Sequence, residues 1–217
     1  MCIGPVISIL LVVGVGAGPL ACGGGGGDGP STTTVTLVAD PAYDGRVSSG
    51  FIAFSPTSAI PWTGDMGASF HPTYFSRQLY AFDLSPLPVG ARIVRATLRI
   101  YQADTMGTPY VKNGDVVVDH VNYFPDPGPD SYDGQNLQRD IGTLSTSPSL
   151  GWRSLDVTGR VANDFEGGRL WSQYRLRFWA ERVVAPDDVN DCAYFSDAET
   201  SAIGVHGEQP QLVVEYE

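Results

Sequence analysis

RQLYAFDLSPLPVGARIVRATLRIY, residues 77–101, decides the fold. From Gln78 to Leu84 the side chains alternate, with Tyr80, Phe82 and Leu84 on one face. From Arg92 to Tyr101 the alternation is cleaner: Ala96, Leu98 and Ile100 point one way, and Arg95, Thr97, Arg99 and Tyr101 the other. A period of two means a strand with one face on a core, because successive side chains of a strand leave opposite sides of the sheet. Between the two runs lies Ser85-Pro86-Leu87-Pro88-Val89-Gly90, whose prolines fix a turn at low entropic cost.

Outward from this hairpin the strand signals recur. Thr34 to Ala39 is a β-branched run ended by Asp40 and Pro41. Asp115 to Tyr123, Trp152 to Val157, Gln173 to Glu181, Ala193 to Ser196 and Gln211 to Tyr216 complete the set, with turn clusters such as Asp126-Pro127-Gly128-Pro129-Asp130 between them. Thr158 to Phe165 is the single helical candidate: Thr158 can cap it, Val161 and Phe165 lie four apart, and Gly167-Gly168 ends it. Many strands and at most one short helix predict an all-β fold, an antiparallel jelly-roll β-sandwich. The stretches from Phe51 to Phe75 and from Asp126 to Leu150 read as long loops.

The first part of the chain reads differently. Val6 to Val15 is an uncharged apolar run, too short for the roughly 20 residues that cross a bilayer, and small residues follow it up to Cys22. Residues 1–21 therefore read as a secretory signal. The site before Cys22 resembles a bacterial lipobox, although Pro19 stands where such sites carry Leu. On this reading Cys22 is lipidated and anchors the chain to the bacterial envelope, at the outer membrane or cell surface; the alternative is simple secretion. Residues 22–34, CGGGGGDGPSTTT, form a Gly- and Thr-rich tether with a root-mean-square reach of about 20 Å, and residues 35–217 form the domain. Only Cys192 remains inside that domain, so no disulfide can staple it, and a small buried residue is expected there. A formal charge of −11 argues against nucleic acid and against an anionic membrane face as partners.

The 77–101 stretch resembles the DNRLRE-type domain, whose pattern is an Arg-led strand, FDLS, a proline-bearing turn, GA and an alternating strand. Asp44-Gly45-Arg46-Val47, Leu155-Asp156-Val157-Thr158 and Pro210-Gln211-Leu212-Val213-Val214-Glu215-Tyr216 resemble its opening, pre-helix and closing motifs in the same order. The resemblance implies a jelly-roll. It also implies a carbohydrate-binding module of the family 96 kind, for which alginate is a ligand. Asn122-Tyr123-Phe124-Pro125 stands where many members carry Trp-x-Glu, and Ala81 where a basic residue is common.

Motifs of catalysis are missing from the sequence. It holds no Gly-x-Ser-x-Gly elbow, no His-Glu-x-x-His and no phosphate-cradling glycine loop. His71, His120 and His206 are scattered, and no enzymatic activity is expected. Asp187, Asp188, Asn190 and Asp191 crowd one loop, and Asp126, Asp130 and Asp133 another; the first, through Asp187, Asp188 and Asp191, could hold a structural Ca²⁺. The 13 basic residues are all arginine except Lys112. Arg95 and Arg99 share one strand face, and Arg175, Arg177 and Trp179 share another. Guanidinium groups pair with carboxylates and Trp offers a flat ring to a sugar, so these five residues are the expected site for an acidic polysaccharide, such as a polyuronate. If the two strands are neighbours they form one basic-aromatic stripe; if not, each is an ordinary solvated face. The alternatives are a structural appendage docking to another envelope or surface protein, and a polysaccharide-active enzyme.

Overall fold

The two alternating runs form long antiparallel strands in the computed structural model, which describes residues 31–49, 62–66, 74–123, 127–181, 189–198 and 208–217. In chain order the elements are β1 (Thr33–Val38), β2 (Gly45–Ser48), β3 (Trp62–Met66), β4 (Tyr74–Asp83), β5 (Ile93–Met106), α1 (Pro109–Lys112), β6 (Val116–Val121), a 3-10 turn (Pro129–Ser131), β7 (Asn136–Ser145), β8 (Gly151–Asp156), α2 (Thr158–Glu166), β9 (Trp171–Phe178), β10 (Asp191–Phe195) and β11 (Gln211–Tyr216). Every pairing is antiparallel, as the alternating pattern requires of a sheet with one buried face.

One curled sheet supplies both layers of the sandwich. In the first layer β1, β11, β5 and β8 lie side by side; Arg99 of β5 faces Gln211 of β11 on one edge and Ser154 of β8 on the other. In the second, β2, β4, β9, β6 and β7 follow one another. β10 pairs with the far half of β5 and with β3, and β3 pairs with β4, so these two short strands turn the corner between layers. Leu98 and Ile100 of β5, Tyr80 and Phe82 of β4, Leu176 and Phe178 of β9, and Leu212 and Val214 of β11 meet in the main core. Gly90 has a φ of +82° with open space around it, so the backbone of the β4–β5 turn, not crowding, asks for glycine there.

The second layer is buried on both sides. Val47, Leu79, Ala81, Val121 and Tyr123 form a smaller cluster on its outer face, packed with Tyr43, Tyr132 and Trp171. Side chains that alternate away from the core on β4, β6 and β9 therefore meet covering chain instead of water.

Several details differ from the sequence expectation. Among the described residues there are two α-helices, not one, because α1 adds a single turn after β5, opened by Pro109 at its first position. In α2, Thr158 is not the cap: Asp156 Oδ1 accepts the Thr158 N–H at 2.8 Å and its hydroxyl at 2.6 Å. β7 also occupies much of the stretch read as a loop. Its sequence NLQRDIGTLS lacks alternation because it is an exposed edge with register shifts against β6, and Asp140 has a φ of 51°.

Candidate ligand-binding face

On the outer side of the first layer, Arg95, Thr97, Arg99 and Tyr101 of β5 stand between β8 and β11, as the alternation requires. Tyr101 lies opposite Trp152 of β8, and their rings meet edge-on with centroids 5.6 Å apart. The Arg99 guanidinium lies over the Trp152 ring at 4.8 Å, and its Nη1 donates to Gln211 Oε1 at 3.2 Å. Stacking on an aromatic face and a neutral amide leave its charge uncompensated. Arg95 is exposed, and among the described residues neither Arg95 nor Arg99 forms an ion pair. Tyr101 and Trp152 escaped the sequence reading of the site; strict pairing of β5 with β8 is what makes them neighbours of Arg99.

Arg175 and Arg177 do not join this face. β9 lies between β4 and β6, in the other layer from β5, so no single stripe exists. Both arginines do point away from the main core, but the 3-10 turn, the chain after it and β7 cover them. Arg175 is fully buried: Nη2 and Nε donate to Asp119 Oδ2 at 2.7 and 3.2 Å, and Nη1 to the carbonyls of Ser131 and Gly134 at 3.0 and 3.2 Å. Arg177 donates from Nε to the same Asp119 oxygen at 3.2 Å and from Nη2 to Asp140. Burial pushes the Asp119 carboxyl up, but the Asp140 N–H and the two guanidinium groups outweigh it and hold it below the usual carboxylate range. Beside them Arg77 makes a bidentate pair with Glu181 at 2.7 and 2.5 Å and stacks on Tyr132 at 3.9 Å. Arg175 commits all five of its N–H groups to these networks, and Arg177 and Arg77 four each. Arg175 and Arg177 are thus structural, contrary to the expectation that they face solvent.

Trp179 is exposed, at 61%, but sits past the end of β9 beside a groove of about 320 Å³ lined by Asp115, Val117 and Thr143. It is a separate aromatic surface.

Asp191, expected as a Ca²⁺ ligand, is buried and already committed. Its Oδ1 accepts the Thr108 N–H at 2.5 Å and its Oδ2 meets Lys112 Nζ at 2.5 Å, so an ammonium fills the place of a cation. Asp187, Asp188, Cys22, His71 and His206 lie outside the described residues. Among the described residues no group of three or more His, Cys, Asp or Glu is placed to share a metal ion. His120 is buried, its Nε2 2.8 Å from Asp164 Oδ2. Cys192 is buried as expected, and burial pushes its thiol up to about 11. Compared with known proteins, the chain matches no family model and no curated protein.

Proposed function

We propose that this chain is a non-catalytic carbohydrate-binding domain of the DNRLRE type, held at the bacterial surface by lipid on Cys22, with an acidic polysaccharide such as alginate as its ligand. The observation that carries the reading is the β5–β8 face: the Arg99 guanidinium, which forms no ion pair among the described residues, stacks on Trp152 next to Tyr101, and the exposed Arg95 lies further along the same strand face. The protein has 24 acidic and 13 basic residues, so arginines have no shortage of carboxylates to pair with. Arg99 is left without an ion pair all the same, whereas Arg95 makes no direct ion pair but lies opposite Glu215 and, after the Thr158 hydrogen bonds, helps to lower the Asp156 carboxyl. Uronate carboxylates would supply the missing counter-charge, and the aromatic edge of the face a surface for a sugar ring.

Exposed pairs contribute only about 0.2–1 kcal/mol each, so two of them with one aromatic contact correspond to a Kd on the order of a few mM per site. Affinity electrophoresis in gels containing alginate tests the proposal. The parent protein is expected to be retarded, and Arg95→Ala with Arg99→Ala to run as in a gel without polysaccharide. Arg95 and Arg99 changes that leave the retardation intact would refute it.

A further inference from the structure

The end of the sandwich that carries the β4–β5 turn holds a groove of about 650 Å³ between that turn and the chain after α2. Leu84 and Leu87 form its buried floor and Phe165 lines it. Its rim is apolar and open: Val89 is fully exposed and Leu170 is 64% exposed. Arg92 and Arg169 flank it, the first paired with Glu217 and the second with Asp164, and the exposed Glu166 adds one carboxylate to the rim.

This is also the end at which the chain enters the domain. Arg92 and Glu217 exchange backbone hydrogen bonds of 2.8 and 3.0 Å, Tyr216 of β11 pairs with Ile93, and Thr33 of β1 pairs with Tyr216. Thr33 is thus two strand spacings, about 10 Å, from the edge of the groove. Cys22 lies only a Gly-rich dozen residues before it, a length with a root-mean-square reach of about 20 Å. β5 alone, with 14 residues, is about 46 Å long.

We propose that this apolar end docks on the phospholipid bilayer to which the chain is tethered, with Val89 and Leu170 entering the interface. The proposal rests on the anchoring of Cys22 described above. Two side chains are too few to bind a membrane from solution; on a short tether the local lipid concentration is high enough for them to set orientation. Docking stands the sandwich on this end and carries Trp179 and the Met106 end of β5 outward.

The test uses the full lipidated chain in liposomes, with an environment-sensitive fluorophore on Val89→Cys, Leu170→Cys or Val111→Cys. Val111 is a matched control: a valine 85% exposed, on α1 at the opposite end of β5. The buried Cys192 stays unlabelled, and the parent protein gives the background. Expected is a blue shift, with quenching by nitroxide lipids, at positions 89 and 170 and neither at 111. Equal signals at all three positions overturn the proposal. So does a blue shift at 89 before lipid is added, which would mean that protein covers the groove. Mass spectrometry of the same sample reads the diacylglyceryl group on Cys22 separately. Anchored protein without quenching sinks the docking alone. Lipid missing from Cys22 sinks the anchor, and with it a docking that depends on the tether.

Discussion

Asp119 shows how a single carboxylate decides what two arginines do. It is fully buried and its Oδ2 accepts from Arg175 and Arg177 together. Removing one partner of a buried pair strands the other charge, at a cost of about 3–5 kcal/mol. Arg175→Ala leaves Asp119 only Arg177 and the Asp140 N–H, so a loss at the low end of that range, about 3 kcal/mol, is expected in denaturant titrations, where a surface arginine would change stability by about 0.5 kcal/mol or less. Asp119 also sets a pH dependence. A carboxylate held below its unfolded pKa, about 3.9 for Asp, stabilises the fold above that value and loses its contribution as pH falls through the folded one. Thermal melts between pH 6 and 2, a range on the order of the Asp pKa and below, should show the parent losing stability on acidification more steeply than Asp119→Asn. Parallel curves would mean that Asp119 is not held ionised by the two arginines.

At the scale of the element, β5 carries both the core and the face. Leu98 is fully buried in the main core, and Leu98→Ala is expected to cost about 2–5 kcal/mol because a cavity remains. Arg99→Ala loses a stack on a half-buried ring and a hydrogen bond to Gln211, and should cost about 1 kcal/mol or less. Equal melting shifts for the two variants would contradict the assignment of faces. β4 and β5 were legible because their alternation is strict, and α2 because its apolar residues and terminal glycines keep helical spacing. β7 was not, since an edge strand with bulges and few buried side chains has no period to read. Among the site residues, the pattern told correctly that Arg95, Arg99, Arg175 and Arg177 leave the main core. Period two reports which side of a sheet a residue takes, however, and not what lies over that side. Over β9 lie the 3-10 turn, the chain after it and β7, which join the sheet through pairings distant in sequence. Trp152 and Arg99 likewise meet only through the β5–β8 register.

In the molecule as a whole, a few unpaired arginines sit on a strongly acidic protein. With a Debye length of about 8 Å at physiological salt, Arg95 and Arg99 act on a ligand locally while the distant carboxylates are screened. Binding of a polyuronate should therefore be strongest at intermediate salt, since very low salt unscreens the net negative charge and high salt screens the arginines. Isothermal titration across ionic strengths checks this, and an affinity indifferent to salt would remove the arginines from the account. The most direct measurement of the central claim is a titration of the isotope-labelled protein with an oligouronate, followed by amide and indole chemical shifts. Shifts are expected to gather on Arg95, Thr97, Arg99, Tyr101 and the Trp152 indole, with Arg175, Arg177 and Asp119 unmoved. Shifts gathered instead on the Trp179 groove, or none at all at millimolar ligand, would contradict it.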